Sequence, residues 1–123
     1  MVRGESGKMK KVTIYHNPRC TKSRETLALL KERGIEPHII EYLKDPPTKD
    51  AIKSLIKLLG SDAAQIVRTK ETAYKDSGLT AKSSPDQMAA AIAEEPVLLE
   101  RPIVVSGNKA AIGRPPENVL EVL

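Results

Sequence analysis

The one cysteine of this 123-residue chain, Cys20, is the residue whose type and setting most readily suggest chemistry. It follows the polar run His16-Asn17-Pro18-Arg19 and precedes Thr21-Lys22-Ser23-Arg24, where a loop is expected to leave a strand and begin a helix. A sulfur placed there faces free backbone N–H groups and the positive end of the helix dipole, and both favour thiolate over thiol. Free cysteine titrates near ~8.5, and cysteines at helix N-termini or beside cations fall to ~3.5–7.5, each unit being worth about 1.4 kcal/mol. His16, Arg19 and Arg24 stand close enough in sequence to contribute. The competing reading is an inert core cysteine, a common fate of free Cys. Pro18, Arg19, Thr21, Lys22 and Ser23 make a poor apolar wrapper, so the reactive thiol is the preferred reading.

Cys20-Thr21-Lys22-Ser23 has the spacing of a redox C-x-x-C motif with serine in the resolving position. Ser23 can donate a hydrogen bond to a thiolate or to a bound oxyanion, but it cannot close a disulfide. A lone cysteine excludes an internal disulfide framework and the usual cysteine-rich zinc sites, and His16 and His38 are too few to build a metal cage. Any reduction by this chain therefore needs its second thiol from outside, from glutathione or a small dithiol protein. Neither a dinucleotide fingerprint nor a phosphate loop is present, so no bound cofactor is expected.

The elements that must position Cys20 can be read on either side of it. Val12 and Ile14 alternate with Thr13 and Tyr15 as a first strand, and residues 21 to 33 read as a helix with Leu27 and Leu30 on one face and Gly34 as its stop. Residues 35 to 43, around His38-Ile39-Ile40-Glu41-Tyr42, form a second strand closed by Asp45-Pro46-Pro47. A strand-helix-strand unit of this kind normally makes two parallel strands. Thr48 then caps a helix whose Ile52, Leu55, Ile56 and Leu59 fall at i, i+3, i+4 and i+7. A short helical segment is expected through Ile66 and Val67, and another from Ala73 to Ser77. Ser84-Pro85-Asp86-Gln87 carries an N-cap, an N1 proline and a capping-box Gln ahead of Met88, Ala91 and Ile92. Ile103-Val104-Val105 and Ala110-Ala111-Ile112 flank a Gly107-Asn108 turn as an antiparallel pair, and residues 117 to 123 form a last short helix. The order strand, helix, strand, helical block, strand, strand, helix predicts an α/β fold with a mixed four-stranded sheet.

Composition narrows the function classes. The formal charge is +4, but Arg3, Lys8, Lys10 and Lys11 against Glu5 supply +3 of it, leaving +1 for residues 12 to 123. With no Phe or Trp and three Tyr, the chain lacks the basic, aromatic face of a nucleic-acid binder, which argues against nucleic acid as a partner. No stretch approaches the roughly 18 to 20 apolar residues of a membrane span, and the polar start lacks the apolar core of a secretory signal. No membrane association and a cytoplasmic location are expected. Residues 1 to 10 read as a flexible tail, and 11 to 123 as a single domain.

Three motifs in order carry a resemblance: His16-Asn17-Pro18-Arg19-Cys20-Thr21-Lys22-Ser23-Arg24, then Glu41-Tyr42-Leu43-Lys44-Asp45-Pro46-Pro47-Thr48, then Arg101-Pro102-Ile103-Val104-Val105, with Gly113-Arg114-Pro115 near the end. Together they resemble the glutaredoxin-dependent, ArsC-type arsenate reductases over about residues 11 to 123. The resemblance implies a thioredoxin-like core with a helical insertion between strands 2 and 3, and a cis proline, Pro102, that sets Arg101 next to Cys20. It also implies an oxidoreductase in which Cys20 attacks arsenate and Arg68, Arg101 and Arg114 steady the oxyanion, with His16 assisting thiolate formation. Glutathione would be the reducing co-substrate and glutaredoxin the protein partner. Forked, permanently charged guanidinium groups suit an arsenate dianion, and a nearby cation lowers the thiol pKa before substrate arrives. Arg19 and Lys22 replace smaller residues of the best-known members. Two other readings are compatible with these residues: an ArsC-like thiol enzyme of another substrate, and a protein-binding regulator like the Spx-type transcription factors, whose frequent C-x-x-C switch Ser23 removes.

Overall fold

The computed structural model describes residues 11–123; the expected tail over 1–10 lies outside the described residues. Four strands, β1 (Val12–His16), β2 (His38–Glu41), β3 (Ile103–Ser106) and β4 (Lys109–Ile112), form one mixed sheet in the order β2-β1-β3-β4. The helices are α1 (Thr21–Glu32), α2 (Lys49–Leu59), α3 (Thr72–Ser77) and α4 (Pro85–Glu94), with 3₁₀ segments at Gly60–Ile66, Pro96–Leu98 and Pro116–Val122. Backbone contacts divide the chain into two compact units, one made of the residues up to Ile40 with Arg101–Leu123, the other of Glu41–Glu100.

The first unit holds the sheet. β1 runs antiparallel to β3 with Ile14 opposite Val104, and β3 antiparallel to β4 with Val104 opposite Ala111. Alternation along β1 sends Val12 and Ile14 inward, where they pack with Leu30, Val104, Val119 and Val122. Each such side chain contributes about 1.5–3 kcal/mol when fully buried. The β3–β4 turn is the expected two-residue Gly107-Asn108 link. Only its first residue has positive φ (61°), the pattern of a type II′ turn, in which glycine suits that position. Helix α1 ends as expected at Gly34, with the Gly34 N–H donating to Lys31 O at 2.9 Å and the Ile35 N–H to Leu30 O at 3.0 Å, a Schellman closure that brings Ile35 onto the core.

The buried face of α1 differs from the expected one. Ser23, Thr26 and Leu30 are buried, while Leu27 is half-buried. The reason lies in Gly113. A Cβ there would meet Thr26 Oγ1 at 2.7 Å and Pro102 Cγ at 2.9 Å, so the chain after β4 presses directly on the N-terminal half of α1 and leaves room only for small side chains. Thr26 meets its own hydroxyl's need within the helix, donating to Lys22 O at 2.8 Å.

In the second unit α2 packs against α4. Thr48 Oγ1 accepts the Ala51 N–H at 3.1 Å, and Ile52, Leu55, Ile56 and Leu59 are all buried. The Ser84 capping box is complete: Ser84 Oγ accepts the Gln87 N–H at 3.1 Å and Gln87 Oε1 accepts the Ser84 N–H at 2.8 Å. Lys49 and Lys53 both reach Asp86, at 3.1 and 3.2 Å, and as hydrogen-bond donors hold its carboxyl below the usual carboxylate range. The segment expected to continue as helix through Val67 stops at Ile66. Val67 is extended and bridges Leu99 in antiparallel fashion, because β-branched Val67 can there pair its backbone with the chain that leads to β3.

Candidate active site

Cys20 is the N-cap residue of α1, with extended backbone (φ −94°, ψ 124°). The turn before it is closed by the Cys20 N–H donating to Asn17 O at 2.9 Å, and the helix opens with the Arg24 N–H donating to Cys20 O at 3.0 Å. Asn17 Oδ1 accepts the Arg19 N–H at 3.0 Å, an Asx-type brace two residues on. Ser23 Oγ accepts the Asn17 N–H at 3.2 Å from the buried side. These contacts follow from local chemistry: proline and asparagine favour the turn, and a small residue at position 23 lets the loop fold back onto the helix.

Two arginines converge on the sulfur from the other end of the unit. Arg114 Nη2 lies 3.5 Å from Cys20 Sγ, and the same guanidinium donates from Nε to Arg101 O at 2.8 Å. The Gly113 N–H donates to Pro102 O at 2.9 Å, so residues 101–102 and 113–114 are joined by two successive hydrogen bonds. Both Arg101-Pro102 and Arg114-Pro115 are cis peptides, the first as expected. Asn118 Nδ2 donates to Arg114 O at 2.9 Å and holds the second loop.

Partial burial pushes the Cys20 thiol up, but this is outweighed by the Ser23 N–H, by the Arg101 guanidinium acting as donor and as charge, and by the Lys22 N–H. The net effect holds Cys20 below its ordinary value. Arg114 thus touches the sulfur at 3.5 Å, while Arg101 favours the thiolate both as hydrogen-bond donor and as charge. The geometry assembles a half-exposed thiol of lowered pKa, helix N–H groups and two guanidinium groups, an arrangement that can bind an oxyanion and present a nucleophile to its central atom.

The remaining expected residues are placed as follows. His16 ends β1 and is buried, four residues before Cys20. Ser23 faces the sulfur through its backbone N–H, and its hydroxyl oxygen accepts from the loop, which leaves the O–H itself as the donor the sequence reading expected it to offer. Arg68 belongs to the second unit. There the Arg68 N–H donates to Leu98 O and the Glu100 N–H to Ile66 O, both at 2.7 Å, which brings the two side chains together. Its guanidinium is held by Glu71 Oε2 at 2.8 Å and Glu100 Oε1 at 3.5 Å. Sequence reading passed over Thr26 and Asn118, and quoted Gly113 only as part of a motif, with no packing role. The spacing of Ser23, Thr26 and Leu30 at i, i+3 and i+7 was a usable signal for the buried helix face; Asn118 offered none.

Comparison with known proteins decides the family. The family model described as ArsC family matches residues 15–122. The chain belongs to the ArsC family. Its similarity to individual members is high: 50% identity over 114 residues with the arsenate reductase of Haemophilus influenzae, covering 91% of this chain and 98% of that protein. It is also 50% identical over 116 residues to the uncharacterized protein YfgD of Escherichia coli, covering 93% and 98%. Among solved structures, the arsenate reductase from Vibrio cholerae superposes with a TM-score of 0.85 at 50% identity, covering 92% of this chain and 98% of that one. The thioredoxin-like, ArsC-type fold expected from the sequence is the fold found. No described helix is long and apolar enough to cross a membrane.

Proposed function

We propose that this ArsC-family protein reduces arsenate to arsenite within a single domain spanning residues 11–123, with Cys20 as nucleophile and external thiols as reductant. The observation that carries the reading is the approach of Arg114 Nη2 to Cys20 Sγ at 3.5 Å beside Arg101 in a chain so similar to arsenate reductases. The Cys20 thiolate attacks arsenic, forming an S–As bond as an arsenate oxygen leaves as water. A second thiol, from glutathione, displaces another oxygen as water, and a thiol of a glutaredoxin-type protein then attacks the glutathione sulfur. That attack forms a disulfide and leaves an electron pair on arsenic, which departs as arsenite once water releases it from Cys20. Overall, arsenate and two external thiols give arsenite, one disulfide and water.

Arg101 and Arg114 stabilise the oxyanion and its transition state, since charged donors in fixed geometry are worth most where charge develops. His16 is assigned a supporting role at the start of the Cys20 loop, and Ser23 presents its N–H. Arg68 is the third family arginine. An anion drawn to it competes with Glu71 and Glu100, so Arg68→Ala is expected to reduce turnover less than Arg101→Ala or Arg114→Ala.

The test is NADPH oxidation coupled through glutathione reductase, glutathione and glutaredoxin, with and without arsenate. Arsenate-dependent turnover that disappears in Cys20→Ser is the expected result. No turnover with every coupling component working removes the arsenate reading; turnover of mixed disulfides with no response to arsenate would select an ArsC-like thiol enzyme of another substrate instead.

A further inference from the structure

Cys20 is held by its backbone, and the strength of that hold depends on how well the short loop before it is fixed. On its buried side the loop is tied by the Asn17 N–H to Ser23 Oγ bond at 3.2 Å. On its exposed side one residue reaches it from α1: Arg24 donates from Nη1 to Pro18 O at 2.9 Å and from Nη2 to Thr21 Oγ1 at 3.4 Å. Residues 23 and 24 are adjacent, so their side chains leave the helix in different directions and grip the loop from two sides. Pro18 donates no N–H, so its carbonyl is the backbone group through which that residue can be tied.

Arg24 is not among the groups that favour the Cys20 thiolate directly; those are the N–H groups of Ser23 and Lys22 and the guanidinium of Arg101, with Arg114 in contact with the sulfur. We propose that Arg24 is a positioning residue for the reaction, clamping the Pro18 carbonyl so that Cys20 stays at the N-cap with its sulfur against the Lys22 and Ser23 N–H groups. The proposal rests on Cys20 being the reactive group, but not on arsenate being the substrate. Arg24 touches neither the sulfur nor, by this assignment, the oxyanion.

Because Cys20 is the chain's one cysteine, its alkylation by iodoacetamide reports this site alone. Arg24→Gln is expected to move the midpoint of alkylation rate against pH upward by about half to one unit, slowing the reaction near neutral pH roughly three- to tenfold while leaving the rate above the midpoint unchanged. Arsenate turnover, where present, falls in kcat with KM little altered. Arg24 is exposed, so the thermal midpoint should change little. At 1 M salt, where the Debye length is about 3 Å, the shift should persist if it arises from loop geometry. A shift abolished by salt identifies Arg24 as a screened charge and overturns the proposal, as does an unchanged alkylation profile. Arg24→Lys, which keeps the charge and can offer one donor to Pro18 O but not the fork, is expected to fall between Arg24 and Gln; a value equal to that of Gln would count against a clamp on that carbonyl. Absence of arsenate turnover with a normal alkylation shift would sink the substrate and leave the positioning role standing.

Discussion

The neighbours of Cys20 favour one of its two protonation states. Burial alone would raise its pKa; the Ser23 and Lys22 N–H groups and Arg101 reverse the sign. The thiolate therefore persists as pH falls below the ordinary thiol value, and reactivity is lost only when pH passes below the lowered one. Alkylation measured against pH should show that midpoint beneath the one for a cysteine in an unfolded peptide. Arg114→Ala removes the guanidinium 3.5 Å from the sulfur and should move the midpoint up. Because a hydrogen bond to a charged group is worth about 1.5–3 kcal/mol, arsenate turnover should fall by roughly ten- to a hundredfold. Arg114→Lys keeps the charge but cannot both donate from Nε to Arg101 O and reach Sγ, so it should recover only part of that loss. Equal turnover in all three proteins would show that the contact is incidental. At this scale local chemistry was informative about type and silent about partner: a lone cysteine before a helix announced itself, whereas Arg114, 94 positions further on, was tied to Cys20 by motif resemblance and by no local sign that the two meet.

At the scale of elements, the site depends on a junction of three segments. Gly113 lies against Thr26 of α1 and Pro102 ahead of β3, and its N–H is bonded to Pro102 O. Gly113→Ala inserts a methyl where the nearest atoms stand at 2.7 and 2.9 Å, with a fully buried threonine on one side and a proline ring on the other. Overpacking of this kind costs about 1–3 kcal/mol, to be read from urea unfolding, and should displace Arg114 enough to slow Cys20 alkylation. Stability and alkylation both matching the parent protein would mean that the junction yields easily. A change in the second unit offers a contrast: Ser84→Ala opens the capping box of α4 and should cost about 1 kcal/mol of stability, seen as a thermal midpoint lowered by a few degrees. The caps at Thr48 and Ser84 and the Schellman closure at Gly34 were legible because capping is local chemistry among residues three or four apart. The arrest of the helical segment at Ile66 was not, because the Val67–Leu99 bridge is a pairing between distant stretches.

At the scale of the whole chain, the decisive number is one cysteine in 123 residues. Without a second cysteine no internal dithiol can supply the two electrons of an arsenate reduction, so arsenite should form only with external thiol, and one disulfide equivalent should appear per arsenite released. Intact-mass measurement after reaction with arsenate and glutathione should find no more than one thiol adduct per chain, located at Cys20. Arsenite produced in thiol-free buffer would contradict this. What the sequence by itself determined was the inventory and its local geometry: the single thiol, the loop-to-helix setting that makes it an N-cap, the caps and turns, and the order of strands and helices. Each of these depends on residue type and on neighbours within a turn or two. Only the tertiary structure decided which charges serve the sulfur. It set Arg101 and Arg114 beside Cys20 by joining residues 101–102 to 113–114, turned the Ser23 N–H toward the sulfur, and engaged Arg68 with two carboxylates. The reason is that an arginine's function is fixed by what lies within a few ångströms of its guanidinium, and folding, through β3, β4 and the close approach at Gly113, determines that neighbourhood.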